Sequence, residues 1–286
     1  MPAMNHSYRY ARVLSIAGSD SGGGAGVQAD LKTIAALGCY GMSAISALTA
    51  QNTVSVQAIH SIPAEFLKAQ IRSVIEDIGV DAVKIGMLQT PSSVEVVAWA
   101  IDHYKLTNVV MDPVMVSTSG HRLMSNETVQ VLVRELFPRV SLITPNLDEA
   151  TWLLGRGIPS ADALHSAAQD LLAIGCQAVL LKGGHLQGSD VVDVLVQHHA
   201  KPQRFESSRI VSQNVHGTGC TLSSAIAAFL ALGNGLSDAV SLSHAYILQA
   251  IAQGADVTTG QGHGPLNHGF DPKPLIKFGD RPRHPS

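Results

Sequence analysis

The sequence predicts a single α/β domain on a doubly wound, mostly parallel sheet flanked by helices, with a small hairpin at one edge. Strand-like and helix-like stretches alternate from Arg12 to Ala252, the pattern of parallel strands joined by crossover helices. Apolar residues make up 45% of the chain and aromatic residues only 5%, a composition that suits aliphatic helices packed on such a sheet. Glycines and polar side chains collect where strands should end, and open α/β sheets bind ligands there. A barrel is the competing topology; the edge hairpin and a site drawn from both ends of the chain favour the open sheet. With no linker or fixed-period repeat, one domain is expected over 12–270, between tails at 1–11 and 271–286.

The first strand is Arg12-Val13-Leu14-Ser15-Ile16-Ala17, running into a glycine-rich loop from Gly18 to Gly26. A helix follows, with Val27, Leu31, Ile34 and Leu37 at helical spacing and Gly38 as its stop. The glycines do not keep the G-x-G-x-x-G rhythm and no Walker lysine follows, so the loop says only that a ligand approaches the backbone. Met42 to Ala50 is the second strand, ending at Gln51. A glutamine amide there can pair with the edge of a heterocycle or simply satisfy a turn. Pro63 opens a helix carrying Phe66, Leu67, Gln70, Ile71 and Val74 on one face. The strand Ala82 to Leu88 comes next, then a helix from Thr90-Pro91 with Val94, Val97, Ala98 and Ile101 facing inward.

Asn108 to Met115 is a strand with Asp112 near its end, either a loop cap or a neighbour of phosphates and their metal. After a helix over 126–136, Ser141 to Asn146 leads into Asn146-Leu147-Asp148-Glu149 and another helix. Asn146 and Glu149, three apart, face one way on a helical turn. They can hold Mg²⁺ through its waters, or form a capping box. Helix 160–174 precedes the strand Ala178 to Lys182, whose lysine is placed to reach a nucleotide phosphate. Val191–Val196 and Arg204–Val211 read as the edge hairpin, and Ser237–Ala252 as the last helix. The loop Gly260 to Pro265 follows, and the Pro/Lys/Arg-rich segment from Asp271 is expected to be mobile.

Between hairpin and last helix stands Val215-His216-Gly217-Thr218-Gly219-Cys220-Thr221, followed by small and apolar residues to Leu230. Gly217 and Gly219 allow positive φ and close approach of a ligand. A glycine turn at a helix mouth directs unpaired N–H groups and the positive dipole end at one point, an anion site. Cys220, on the first helical turn, is either a core residue or a thiol whose ionisation that field favours. The formal charge of −3 with no basic run argues against a nucleic-acid surface. Cys39, Cys176 and Cys220 lack the spacing of a disulfide or zinc site. No long apolar span occurs, so a soluble cytoplasmic protein without membrane contact is expected.

Together these segments resemble the ribokinase-like superfamily, and within it the hydroxymethylpyrimidine/phosphomethylpyrimidine kinases of thiamine biosynthesis. The resemblance is carried by Ala17–Thr33, Ala47–Thr53, Lys84–Leu88, Met111–Met115, Leu142–Ala150, Leu181–His185 and the turn ending in Cys220. It implies an ATP- and Mg²⁺-dependent kinase that phosphorylates 4-amino-5-hydroxymethyl-2-methylpyrimidine and then its monophosphate. It implies that Gln51 recognises the aminopyrimidine, with Gly18, Ala25, Met87 and Val114 lining the pocket and Asp30 near the substrate end. Asn146 and Glu149, with Asp112, would organise Mg²⁺ and phosphate; Thr144, Lys182 and Gly183 would line the ATP side. Gly217, Thr218 and Gly219 would form the anion hole, and Cys220 stands where many sugar kinases carry an aspartate base. Many relatives are homodimers. Pyridoxal kinase is the alternative within the class, and a non-catalytic pyrimidine or nucleotide sensor the alternative outside it.

Overall fold

The computed structural model describes residues 8–115, 123–186 and 188–279. In chain order its elements are β1 (Tyr8–Tyr10), β2 (Arg12–Asp20), α1 (Gly26–Ala36), β3 (Tyr40–Gln51), β4 (Val56–Ser61), α2 (Ala64–Asp77), β5 (Ala82–Ile85), α3 (Pro91–Tyr104), β6 (Val109–Met111) and α4 (Asn126–Glu135). Then follow β7 (Leu142–Ile143), α5 (Leu147–Leu154), α6 (Ala163–Ala173), β8 (Ala178–Lys182), β9 (Asp190–Gln197), β10 (Gln203–Ser208), α7 (Thr218–Ala231), α8 (Leu236–Ala252) and β11 (Lys277–Gly279). Nine strands form one sheet in the order β10-β9-β8-β7-β6-β5-β2-β3-β4. From β8 to β3 neighbours run parallel; β4, β9 and β10 are antiparallel additions at the two edges. The expected doubly wound sheet with its edge hairpin is therefore present.

Alternation along the strands sorts side chains onto two faces. Leu14, Ile16, Val83, Ile85, Val109, Met111 and Ile143 pack with helices α2 to α6. Val13, Ala82, Val110, Leu142 and Leu180 pack on the other face with α1, α7 and α8. α7 is built of small residues because it touches β2, β5 and β6 beneath and α1 and α8 beside it. Larger side chains would not fit a helix enclosed on so many sides. Thr90 caps α3 by accepting from Ser93 N–H, with Pro91 at the first helical position.

Several boundaries differ from the sequence reading. β2 runs through Asp20, so Gly18 and Ser19 are strand and the loop proper is shorter. β4 was not expected: only Val56 of its residues is buried, and an edge strand exposed on both sides leaves little hydrophobic pattern. β10 ends at Ser208 and α6 begins at Ala163. Of the segment expected to be mobile, residues 273–279 are tied down. Lys273 and Ile276 N–H donate to Ala36 and Gly38 carbonyls at 2.8 Å each, and β11 pairs antiparallel with β1. These are backbone bonds, which leave no side-chain signature. The expectations for 1–7 and 280–286 lie outside the described residues. Among the described residues no helix is long and apolar enough to cross a membrane.

One polar cluster lies inside the fold. Lys84 of β5 and Asp30 of α1 are fully buried, with Nζ 2.8 Å from both carboxylate oxygens. Ser15 and Ser224 hydroxyls donate to the same carboxylate at 2.6 and 2.8 Å. Burial works against the lysine's charge, but the Asp30 carboxylate outweighs it and holds the ammonium above the usual lysine range. Removing one partner strands the other charge in the core. Lys84→Met is expected to lose about 3–5 kcal/mol in urea unfolding, and Lys84→Met/Asp30→Asn to recover most of it. A single variant within about 1 kcal/mol of the parent would show that the pair is not the constraint its burial implies.

Candidate active site

A cavity of about 670 Å³ opens at the C-terminal ends of the parallel strands, large enough for a nucleotide and a small acceptor together. One wall comes from the end of β2 and the glycine loop, and a second from β3. The ends of β6, β7 and β8 form the floor opposite, and the N-terminus of α7 stands between them. Gly217 precedes α7 with φ of +84°. A Cβ there would lie 1.9 Å from Gly24 O, so glycine is required twice over. The leading N–H groups of a helix have no acceptor within it; Gly219 and Cys220, in the first turn of α7, line the cavity.

One end of the cavity is organised by Asp20. Its carboxylate receives N–H groups of Gly22 (2.8 Å), Gly24 (3.1 Å) and Ala25 (2.8 Å), and lies 2.9 Å from His216 Nε2. Burial would raise its pKa, but His216 and the backbone donors prevail and hold it below the usual range. Gln51 lines the same end, its amide 3.3 Å from His216 Nε2 and 3.1 Å from Thr49 Oγ1. Gly18 borders Met87 so closely that a Cβ would meet Met87 Cε at 2.4 Å.

At the other end Lys182 Nζ donates to Asp112 Oδ1 at 2.8 Å, and Thr144 Oγ1 to the same oxygen at 3.0 Å. Asn146 and Glu149 form a capping box on α5: Asn146 N–H donates to Glu149 Oε2 (2.8 Å) and Glu149 N–H to Asn146 Oδ1 (2.9 Å). The capping alternative is thus realised, yet both side chains also line the cavity. Burial raises Glu149; the Lys182 ammonium pulls the other way, and Asp112 adds to the rise, leaving it at about 7. Among the described residues no three His, Cys, Asp or Glu side chains are grouped to grip an ion directly. His244 Nε2 lies 3.0 Å from Asp193 Oδ2, and its ring stacks on Phe205.

Of the residues singled out from sequence, Gly18, Ala25, Gln51, Met87 and Val114 line the cavity, as do Asp112, Asn146, Glu149, Lys182 and Gly217 to Cys220. Three others do not. Asp30 lies behind the wall, engaged by Lys84. Thr144 is buried beneath Asp112. Gly183 is buried against β9, where its N–H donates to Asp193 and a Cβ would meet Val192 O at 2.1 Å. Cys220, left open from the sequence between core residue and favoured thiolate, sits where its surroundings work against the thiolate. Burial pushes the thiol up to about 11; Lys84 lowers it, but Asp30 and Asp112 raise it again. Sequence reasoning gave no role to Lys84, Asp20 or His216. A lysine inside the apolar strand Ala82–Ile85 was a readable signal, since a buried ammonium needs a carboxylate. Asp20 and His216, 196 positions apart, left none.

The model of the family described as phosphomethylpyrimidine kinase matches residues 20–267. The thiamine biosynthesis bifunctional protein ThiED of Geobacter sulfurreducens is 48% identical over 90% of this chain, which spans 52% of that longer protein. The hydroxymethylpyrimidine/phosphomethylpyrimidine kinase of Rhizobium meliloti is 46% identical over 90% of this chain and 97% of its own length. Among solved structures, an ADP complex of Bacillus subtilis pyridoxal kinase matches with a TM-score of 0.84 and 37% identity, over 91% of this chain and 98% of that one. The ribokinase-like fold expected from the motifs is therefore present, and the chain belongs to the phosphomethylpyrimidine kinase family.

Proposed function

We propose that this chain transfers the γ-phosphoryl group of ATP to the hydroxyl of 4-amino-5-hydroxymethyl-2-methylpyrimidine, and then phosphorylates the product to the pyrophosphate, in the cytoplasm and as a homodimer. The observation that carries the reading is one cavity with Gln51 at one end, Lys182, Asp112 and Glu149 at the other, and the Gly217–Cys220 turn between them. An amide suits an edge with adjacent donor and acceptor. The turn suits an oxyanion. Gly219 and Cys220 N–H groups would receive the charge that builds on the transferring phosphoryl oxygens, and Lys182 would meet the nucleotide's phosphates. The acceptor oxygen bonds to phosphorus as the bond to the ADP oxygen breaks, and the hydroxyl proton passes late, in a loose transition state, to an oxygen of the transferred phosphoryl group or to water. A thiol with a pKa of about 11 is compatible with that timing.

Mg²⁺ fits the residues present. Asp112, Glu149 and Asn146 are hard oxygen donors, and Glu149 is a buried carboxylate with too little positive charge around it. They would hold the ion through its waters, and the ion supplies neutralising charge to the phosphates. Pyridoxal phosphorylation is the second reading, favoured by the likeness to Bacillus subtilis pyridoxal kinase.

Purified protein with ATP, Mg²⁺ and either the pyrimidine or pyridoxal is expected to yield mono- and diphosphorylated pyrimidine by mass spectrometry, with both lost in Gln51→Ala. Phosphorylated pyridoxal alone would move the activity to the second reading; binding without product would mean a sensor. Cys220→Ala is expected to lower kcat about 100-fold, with Cys220→Asp keeping part of the rate, in initial-rate assays; near-normal turnover would reduce the thiol to packing. Glu149 generates a stability prediction. Its folded pKa of about 7 exceeds the usual 4.5, so between those values the folded state holds the extra proton and stability falls as pH rises. Glu149→Gln keeps the cap and is expected to flatten that slope in melts without nucleotide; parallel curves for the two proteins would exclude it.

A further inference from the structure

The Asp20–His216 pair has a consequence for how Gln51 reads a ring. Gln51 Oε1 stands 3.1 Å from Thr49 Oγ1, and Gln51 Nε2 stands 3.3 Å from His216 Nε2. Hydrogen-bond capacity conflicts with that orientation at both ends. Asp20, held below the usual carboxylate range, is ionised and can only accept, so His216 Nε2 at 2.9 Å must carry its proton and donate. A donating Nε2 cannot also accept from the Gln51 NH₂. At the other end Thr49 Oγ1 gives its single proton to the Ser19 carbonyl at 2.8 Å. Toward Gln51 it can only accept. If the amide turns over, its nitrogen donates to Thr49 Oγ1 and its oxygen faces the His216 Nε2–H, whose proton goes chiefly to Asp20 at 2.9 Å and reaches the amide as the longer arm of a shared bond at 3.3 Å. The two ends of an amide have the same shape, so the hydrogen-bond network decides between them.

We propose that His216, held by Asp20, is a positioning residue that fixes the direction of the Gln51 amide and thereby the direction in which the acceptor hydroxyl points. This rests on the aminopyrimidine reading above. With the amide oxygen on the His216 side, the exocyclic amine of the pyrimidine sits on that side and the ring nitrogen on the Thr49 side. The hydroxymethyl group is adjacent to the amine on the ring, so it faces Gly217 and the anion turn, which follow His216 in the chain. The reverse amide would turn the ring over and carry the hydroxyl away. The imidazole has a firm support, because Asp20 is itself anchored by three N–H groups of the glycine loop. A Cβ at Gly24 would stand 2.5 Å from His216 Cδ2, so the ring lies directly against that loop.

The test compares 4-amino and 4-oxo forms of 5-hydroxymethyl-2-methylpyrimidine, the oxo form presenting the opposite donor–acceptor order. Wild-type protein is expected to prefer the amino form by about 100-fold in kcat/KM. His216→Phe, which keeps a ring but no donor, frees the amide and is expected to shrink the preference to within about tenfold. An equal loss on both substrates, with the ratio unchanged, would mean that His216 is only structural and would overturn the proposal. A second measurement needs no variant to be active: ¹⁵N shifts of labelled histidine should show Nε2 of His216 protonated at neutral pH. An unprotonated Nε2 overturns the proposal even if the pyrimidine is a substrate. A wild-type protein that phosphorylates neither pyrimidine would sink the substrate reading, and the ¹⁵N result would still decide the orientation of the amide.

Discussion

The backbone of Gly217 lies against the backbone of Gly24, in a space where a single Cβ would come within 1.9 Å of a carbonyl oxygen. That contact brings a turn late in the chain onto a loop near its start, and the cavity is the volume the two enclose with the strand ends. Everything proposed for the site depends on it. The two loops can meet only because no side chain separates them. His216 can reach Asp20 only because Gly217 follows it in a left-handed conformation that redirects the chain into α7.

Charge inside the site is arranged in compensated groups rather than as free ions. Lys84 answers Asp30 and Lys182 answers Asp112, while Asp20 is held by hydrogen bonds from three backbone N–H groups and by His216 Nε2. Among the described residues Glu149 is the exception, raised chiefly by burial against the pull of Lys182. Cys220 sits among Lys84, Asp30, Asp112 and Lys182, and their opposing fields leave burial to decide that it remains a thiol.

Much of this was legible in the sequence. Apolar periodicity located most of the strands and helices, because a residue facing a core must be apolar whatever its partner. Gly217-Thr218-Gly219 was legible as a glycine turn at a helix mouth, because glycine before a buried helix has a local meaning, and Gly217 has the positive φ such a turn needs. Asn146 and Glu149 were legible as a pair, since three-residue spacing fixes their side, but spacing alone left cap and cation site undecided; the structure shows the cap and leaves both side chains at the cavity. β4 and β11 escaped notice because edge pairing uses backbone groups that every residue carries.

What the sequence by itself determined was the set of local conformations: which stretches are strands and helices, where glycine permits an unusual turn, and which chemical groups stand at strand ends. Tertiary structure alone decided which of those groups share a space. It placed Asp30 behind the wall and Lys84 beside it, joined Asp20 to His216 across most of the chain, and raised Cys220, left open from the sequence between core residue and favoured thiolate. The physical reason is range. Backbone preferences act over a few residues, whereas desolvation and ion pairing depend on neighbours in space, and chain order does not specify them.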